Sequence, residues 1–429
     1  MRLARFFDFA AKQSSFQVEV LAGLSTFLSL SYIFVVNPAI LSQAGMDKSA
    51  VLFATIMASA VATIVMGLWP NLPFVLAPGM ELNAYVAFFV VGSLGFNWRQ
   101  ALGAVFWSGV LFIVLTLMRI RRRVIDAIPE RMKAALAFSV GVFLFLVALK
   151  IAGLLRYDGV QLVGLGRFTS RTALVFYTSL VFVLLLEKFK VRGSVLISIL
   201  IAAGLCHVLE LRDPEQQAQL SRQMLVGIGA LDLGVIVDPR MLSVILILFL
   251  IDFYGSIAKF VGLSLNTSLV VNGQLPQLKN ALLIDGAATV FGSTIGTSSI
   301  IVYVESAVGI GAGGRTGLTA VTCGILMLGC FALSHVLGVV PIVATTGALA
   351  FVGIKLFPSL RELRTFSAVD NIALILMPLA VIGTFAIDRA MLVGFSVYAL
   401  NDLIKLRKAN PYIIGSIILL ALGAYLQMR

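Results

Sequence analysis

Long apolar runs fill this chain from residue 21 onward, separated by short polar stretches. A helix needs about 20 mostly apolar residues to cross the hydrocarbon core of a bilayer. Because lipid cannot satisfy backbone hydrogen bonds, helices are the expected spanning elements for runs this continuous. The pattern predicts an all-α polytopic membrane protein with apolar segments at roughly 21–42, 50–69, 82–95, 101–118, 134–155, 172–186, 194–209, 241–264, 281–296, 300–311, 317–337, 339–357, 369–387, 389–404 and 412–427.

A polar stretch at "LRDPEQQAQLSRQ" (211–223) divides these runs into two comparable halves. Seven runs precede it, so a cytoplasmic N-terminus places the stretch outside and makes the second half enter the membrane in reversed orientation. An odd number of crossings per half is what an inverted repeat requires. The predicted domains are a first repeat over 1–209, an external polar loop over 210–238 and a second repeat over 239–429. Eight runs follow the loop where seven crossings are expected, so two of the last three are predicted to be half-length or interfacial.

Composition and charge agree with a membrane protein. Hydrophobic residues make up 60% of the chain and charged residues 12%, against about 25% charged in soluble domains. The net charge of +12 sits mainly in short loops, which is the positive-inside signal of a cytoplasmic face and gives no reason to expect a nucleic-acid partner. The basic clusters are "RIRRRV" (119–124), "ERMK" (130–133), "EKFKVRG" (187–193), "KLFPSLRELR" (355–364) and "KLRK" (405–408).

Two apolar segments are interrupted at matching positions of the two halves. In "GLWPNLPFVLAPGMELNAY" (67–85) three prolines break the helical pattern, and in "FGSTIGTSSIIVYVESAVGIGAGG" (291–314) small and β-branched residues do so. Such paired discontinuities are the best sequence indication of a transporter's substrate site near the bilayer midplane. Each break frees backbone N–H and C=O groups, and the half-helix after it directs a partial positive charge at the break.

Ionisable residues inside a membrane are costly and are functional candidates by default. Asp252 follows a long apolar run, and Gly255, Ser256 and Lys259 come three, four and seven positions later, on the same helix face. Glu305 follows the second break, where a carboxylate can accept hydrogen bonds from the N–H groups of a ligand. The intramembrane candidates are Glu81, Asp252, Lys259 and Glu305.

Asn83 offers a ligand both a donor and acceptor lone pairs, which suits a planar heterocycle that carries both. These candidates also have structural interpretations: Asn83 as a packing amide, Lys259 at a solvated helix end, and Glu305 as a cap of its own helix. The turn "GGRTG" (313–317) either carries a cytoplasmic arginine or shapes the site indirectly.

The cysteines and histidines give no indication of a metal or catalytic site. Cys206, Cys323 and Cys330 lie in apolar segments without metal-ligand spacing, and we expect them to be buried small residues. His207 and His335 are scattered, and the sequence lacks the nucleotide-binding pattern GxxxxGK[ST]. We therefore predict no catalytic residue, no metal and no cofactor, and a protein that is not an enzyme.

Three stretches resemble a known family. "APGMELNAY" (77–85) resembles APGMGLNAY, "YVESAVGIGAGGRTGLTAV" (303–321) matches YVESAAGVAAGGRTGLTAV almost residue for residue, and "LSLSYIFVVNPAIL" (28–41) is similar to the first helix. These motifs belong to the azaguanine-like adenine/guanine/hypoxanthine branch of the nucleobase:cation symporters, which include the xanthine and uracil permeases. The resemblance implies a uracil-permease-like fold of fourteen segments in two inverted seven-segment repeats. A core domain would comprise segments 1–4 and 8–11 and a gate domain segments 5–7 and 12–14, with short strands in segments 3 and 10.

The same resemblance implies where the substrate binds. Two carboxylates facing a heterocycle rich in N–H donors make chemical sense, because hydrogen bonds to an ionised acceptor are roughly twice as strong as neutral ones. Asp252 and Glu305 are also the candidates for carrying a coupled proton. The implied substrate-binding residues are Gly79, Asn83, Asp252, Tyr303, Val304 and Glu305.

Three residues depart from the pattern of this branch. Its DLFDTIGT becomes "DFYGSIAK" (252–259), so Gly255 stands for an aspartate and Lys259 for a threonine. Glu81 stands for the glycine before LNAY. We expect Glu81 and Lys259 to compensate each other's charge across the site and, with Gly255, to modulate substrate preference or coupling.

Together the residues and the resemblance predict a multi-pass secondary transporter of the bacterial inner (plasma) membrane. It would import a purine nucleobase, either adenine, guanine or hypoxanthine, by proton symport with alternating access. The expected partners are the purine, a proton or a sodium ion, the lipid bilayer and a second copy in a homodimer. The alternatives are a permease of the same fold for uracil, xanthine or a small anion, and a non-transporting membrane receptor.

Overall fold

The computed structural model describes most of the chain. The basic cluster at 119–124, most of the polar stretch at 211–223, and His335 lie outside the described residues. The described ranges are 5–118, 130–158, 161–191, 193–211, 225–264, 267–270, 275–334, 337, 340–359, 363–405 and 411–427.

Helices account for most of the first half, and a π-helix spans Tyr85–Val91. In chain order the elements are α1 (Phe16–Leu30), α2 (Ile33–Ser42), α3 (Lys48–Leu68), β1 (Leu76–Pro78), α4 (Met80–Ala84), α5 (Trp98–Leu117), α6 (Glu130–Ile151), β2 (Leu155–Asp158), β3 (Gln161–Leu165), α7 (Arg171–Lys188) and α8 (Ser194–Val208).

The second half is again mostly helical, with 3-10 turns at Leu233–Val237, Cys330–Leu333 and Ile342–Thr345. Its elements are α9 (Pro239–Ser264), α10 (Leu278–Ile295), β4 (Ile300–Val302), α11 (Ser306–Gly311), α12 (Gly317–Gly329), α13 (Thr346–Lys355), α14 (Ala368–Thr384), α15 (Ile387–Ile404) and α16 (Pro411–Gln427).

Polar caps and one glycine explain several helix boundaries. At the start of α3 the Asp47 carboxylate accepts a hydrogen bond from the Ala50 amide at 2.8 Å. At the start of α5, Asn97 and Gln100 satisfy each other's backbone amides in a capping box. Helix α10 ends at Gly296, whose φ of 101° is accessible to glycine at little cost.

The two predicted interruptions are present and face each other. Strands β1 and β4 pair antiparallel, with Ala77 opposite Ile301, and every residue of both strands is buried. Each strand leads directly into a short helix, α4 or α11. This confirms the short strands expected in segments 3 and 10.

Strands β2 and β3 form a hairpin that the apolar pattern did not predict. The predicted run at 134–155 ends earlier, because α6 stops at Ile151 and Gly153 turns the chain with a φ of 72°. The side chains of β3 are mostly exposed, although several are apolar. The predicted run at 134–155 therefore extends past the end of α6, through the turn and into the first residue of β2.

The last three helices correct another prediction. Helices α14, α15 and α16 contain 17, 18 and 17 residues, so each is roughly 25 Å long at 1.5 Å per residue. The half-length alternative is therefore wrong, and the interfacial alternative stays a prediction.

By length and hydropathy, five helical stretches among the described residues can cross a bilayer. Six shorter apolar helices accompany them, including Met80–Val91 and Ser194–Val208. The protein is a mostly helical membrane protein, and the count of fourteen crossings stays a prediction. The five stretches are Phe16–Ser42, Lys48–Leu68, Trp98–Leu117, Ala134–Ile151 and Pro239–Ser264.

The helices pack in two main groups. In one, α1 and α3 pack against α12, while α5 packs against α9 and α10. In the other, α6 packs against α13 and α14, and α7 packs against α8 and α13. The paired strands belong to the first group, because β1 packs against α3 and β4 against α10.

Helices α3 and α12 cross at a glycine contact. A Cβ atom added to Gly67 would lie 2.3 Å from the Gly317 carbonyl oxygen, closer than atoms can approach. The absence of side chains at this crossing therefore lets the two backbones meet.

A buried carboxylate ties α1 to the turn "GGRTG". Glu19 is fully buried, and its oxygens accept hydrogen bonds from the Arg315 and Thr316 amides at 2.9 and 3.1 Å and from the Ser14 hydroxyl at 2.6 Å. The Arg315 guanidinium donates to the Ile310 and Gly314 carbonyls. An anion at the start of α12 is also favourable to the helix dipole, so this turn has a structural role.

We expect Glu19→Ala to destabilise the protein by about 3 kcal/mol, because several buried donors lose their acceptor. The measurement is the apparent melting temperature of the purified protein in detergent. Asp402→Ala, at a half-exposed carboxylate near the end of α15, is the matched control and should melt like the wild type. Equal melting temperatures for all three proteins would contradict the role assigned to Glu19.

Candidate functional site

The site is built around the paired strands, where both helices are interrupted. The Gly79 amide donates to the Ser299 carbonyl and the Tyr303 amide to the Val75 carbonyl, each at 2.9 Å. The Tyr303 hydroxyl donates to the Pro78 carbonyl, which joins the two breaks a second time. Gly79 also packs closely on β4, since a Cβ atom there would lie 2.6 Å from Ile301 Cδ1.

Asn83 lies on α4, immediately after the first break, and is fully buried. Its Oδ1 accepts a hydrogen bond from the Ser298 hydroxyl. Its Nδ2 has no hydrogen-bond partner among the described residues. The side chain therefore presents an unused donor, so the interpretation of Asn83 as a fully satisfied packing amide does not fit.

Glu305 lies at the start of α11, after the second break. Its Oε1 accepts a hydrogen bond from the Tyr32 hydroxyl at 2.8 Å, whereas the buried Oε2 has no partner in the described part of the chain. Within that same part, Glu305 makes no capping hydrogen bond to its own helix. The neighbouring Val304 side chain is exposed. The structure thus places an unused acceptor on the second half-helix.

Asp252 is held between two helices rather than left open. Its oxygens accept hydrogen bonds from the Ser256 hydroxyl, one turn later on α9, at 3.4 Å, and from the Thr289 hydroxyl of α10 at 3.1 Å. Thr289 also lies 3.1 Å from the Ile300 carbonyl at the start of β4. Asp252 is therefore linked to the second break through Thr289.

Asp285 is a carboxylate beside the site that sequence reasoning missed. It lies on α10, is fully buried and interacts electrostatically with Asp252. Neither of its carboxylate oxygens has a hydrogen-bond partner among the described residues. The sequence did carry a signal for Asp285, because it is an isolated acid in an apolar run, as Asp252 is.

Glu81 and Lys259 form an ion pair, with Lys259 Nζ 3.1 Å from Glu81 Oε1. The two side chains are only 15% and 17% exposed. Helix α9 ends at Ser264, five residues past Lys259, so Lys259 lies near the helix end and is paired there with a carboxylate. The pair connects α4 with α9 beside the site.

Gly255 faces open space. No atom of the described residues lies within 4 Å of a Cβ atom added there, and the same holds at Gly262, two turns later. Ala258 and Lys259 lie on the same face and are exposed or half-buried. This face of α9 is therefore not covered by other described residues, and the ion pair lies beside it.

The unused atoms at the site, Asn83 Nδ2 and Glu305 Oε2, can each form a hydrogen bond with a ligand. Among the residues that the structure covers, no group of three or more His, Cys, Asp or Glu side chains is placed to hold a metal ion. The three cysteines are buried, as expected for small packing residues.

Comparison with known proteins decides the family. A xanthine/uracil permease model, described as the Permease family, matches residues 17–387. This chain belongs to that permease family. It is therefore a membrane transporter and not an enzyme, and the resemblance noted in "APGMELNAY" (77–85) and "YVESAVGIGAGGRTGLTAV" (303–321) is confirmed.

Individual relatives of this permease align over almost its whole length. The adenine permease AdeP of Escherichia coli is 33% identical over 415 residues, which cover 96% of this chain and 93% of the relative. The guanine/hypoxanthine permease PbuO of Bacillus subtilis is 31% identical over 420 residues, covering 95% and 97%. Among solved structures, the transmembrane domain of the cyanobacterial bicarbonate transporter BicA has a similar fold, with a TM-score of 0.66 at 16% identity over 85% of this permease and 95% of that chain.

Replacing Gly255 on α9 and Gly67 on α3 by alanine should change the stability of the protein in opposite directions. Gly255→Ala enters open space and should stabilise this permease by about 0.5–1 kcal/mol through helix propensity. Gly67→Ala, the matched control, meets the Gly317 carbonyl and should destabilise it by about 1–3 kcal/mol. Melting temperatures of the purified variants test both signs, and a loss of stability in Gly255→Ala would contradict the open space beside Gly255.

Proposed function

We propose that this permease imports a purine nucleobase, either adenine, guanine or hypoxanthine, by proton symport with alternating access. The observation that carries the proposal is an unused donor and an unused acceptor on the two half-helices, Asn83 Nδ2 and Glu305 Oε2. The names of the relatives, adenine permease and guanine/hypoxanthine permease, support the choice of substrate.

The proposed contacts follow from the chemistry of a purine. Each purine edge carries N–H donors beside carbonyl or ring-nitrogen acceptors, so an amide donor and a carboxylate acceptor can bind it together. Glu305 contributes the stronger bond, because its acceptor is charged. The backbone around Gly79, Tyr303 and Val304 forms the proposed floor, and Asp252 is the third polar side chain.

Alternating access would move the strand-bearing helix group against the other group. We assign α1 to α5 and α9 to α12 to a core and α6 to α8 and α13 to α16 to a gate. Packing of α12 against α1 and α3, and of α13 and α14 against α6, supports this division. The site at the paired strands would then move as part of the core and open to each side in turn.

Proton coupling is assigned to one of the two carboxylates Asp252 and Glu305, while the other stays charged to accept hydrogen bonds from the purine. Burying a charged, unpaired carboxylate away from water costs free energy. A proton on that carboxylate removes the charge and so lowers the free energy of the purine-bound state. Sodium is the competing coupling ion. We place the protein in the bacterial plasma membrane, with basic loops such as 187–193 facing the cytoplasm, and a homodimer stays a prediction.

A small anion is a weaker candidate substrate, although BicA shares the fold. Lys259 would be the cation for such an anion, but its ammonium is paired with Glu81. Asp252, Asp285 and Glu305 would repel an anion at the same place. The polar groups therefore favour a heterocycle with N–H donors.

Uptake of radiolabelled adenine, guanine and hypoxanthine by cells without their own purine carriers tests the function. We expect saturable uptake of at least one purine, and its loss both with a protonophore and in Glu305→Ala, which removes the acceptor. Asp402→Ala should transport like the wild type. Absence of uptake for every purine, with the protein present in the membrane, would refute the proposal.

Tyr32→Phe should raise the KM for the purine about tenfold, because a hydrogen bond to a charged group contributes about 1.5–3 kcal/mol and here it orients Glu305. Tyr177→Phe removes an exposed hydroxyl that donates to the Phe168 carbonyl, and it is the matched control. An unchanged KM in Tyr32→Phe would show that Glu305 does not depend on this contact.

A further inference from the structure

The Glu81–Lys259 pair is a chemical addition to this site, because both residues depart from the branch pattern. The carboxylate lies on α4 and the ammonium on α9, two helices that contact each other within one packing group. Movement between the two helix groups would therefore leave the pair intact. The Glu81–Lys259 pair therefore does not connect the core to the gate.

The pair interacts with both predicted proton carriers. Lys259 interacts electrostatically with Asp252, Asp285 and Glu305, and Glu81 with Asp252. On α6, which also packs against α4, Lys150 lies over the rings of Phe88 and Phe385. Among the described residues, the titratable side chains that interact electrostatically with the pair are Tyr32, Asp252, Asp285, Tyr303 and Glu305.

We propose that Lys259 sets the number of protons that accompany each substrate molecule, by holding the Glu81 carboxylate in an ion pair and thereby out of proton exchange. This inference rests on the proposed proton-coupled transport. With the pair intact, Asp252, Asp285 and Glu305 are the carboxylates left to exchange protons.

The two partners should act with opposite signs. Without Lys259, Glu81 is a carboxylate without its counter-ion in a mostly buried position, and such a group takes up a proton instead of remaining charged. Without Glu81, the released ammonium compensates a neighbouring carboxylate such as Asp252, which then needs no proton. A pair with a merely structural role would instead give losses of the same sign and an unchanged proton count.

The experiment uses the full-length protein in proteoliposomes loaded with a purine that the wild type transports. The membrane pH gradient at which net purine flux stops gives the proton-to-purine ratio. We expect Lys259→Met to raise this ratio by about one proton and Glu81→Gln to lower it by about one, with the double variant returning to the wild-type value. The dependence of log KM on pH should change slope by about one unit in the same directions.

Two further measurements keep the outcomes distinct. Purine counterflow, which needs no net proton movement, reports whether each variant is folded and binds substrate. The charge-swapped variant Glu81→Lys/Lys259→Glu keeps a pair and should retain the wild-type ratio, even if single variants are unstable. A wild type without purine counterflow would refute the proposed function. Active variants that all keep the wild-type ratio, or a swapped pair that changes it, would refute this inference alone.

Discussion

The arrangement of this transporter depends on how unpaired backbone is satisfied in the middle of a membrane. Interrupting a helix there exposes N–H and C=O groups that lipid cannot bind, at a cost of several kcal/mol for each group left alone. Here the two interruptions avoid much of this cost, because the backbone groups of β1 and β4 form hydrogen bonds with each other. Hydroxyl groups complete the pairing: the Leu76 amide donates to Thr63 and the Val75 amide to Ser306.

This mutual satisfaction leaves side-chain atoms available beside the strands. The Asn83 oxygen is used by Ser298 and one Glu305 oxygen by Tyr32, so each polar group is oriented by one contact while its other atom is unused. Preorganised groups of this kind bind a ligand without first losing conformational freedom. The bonded atoms of Asn83 and Glu305 are therefore held in place, and their unused atoms are available to a ligand.

Much of this arrangement could be predicted from local sequence. The three prolines in 67–85 and the small residues near 291–314 marked both breaks, and isolated charges marked Asp252 and Glu305. Tyr32 could not be predicted, because a tyrosine in an apolar helix acquires a role only when a distant element brings a carboxylate to it. The apolar runs located the last three helices, and the wrong half-length expectation came from counting crossings. The hairpin after α6 was missed because apolar runs measure hydropathy rather than chain direction.

The ion pair between Glu81 and Lys259 has an electrical consequence for a protein that works under a membrane voltage. A single charge carried across the full potential exchanges about 2.3 kcal/mol per 100 mV with the field. Two opposite charges 3.1 Å apart, fixed to helices that pack together, contribute almost no displaced charge when those helices move. In the proposed transport cycle, any current would therefore be carried by the coupled ion and not by these two residues.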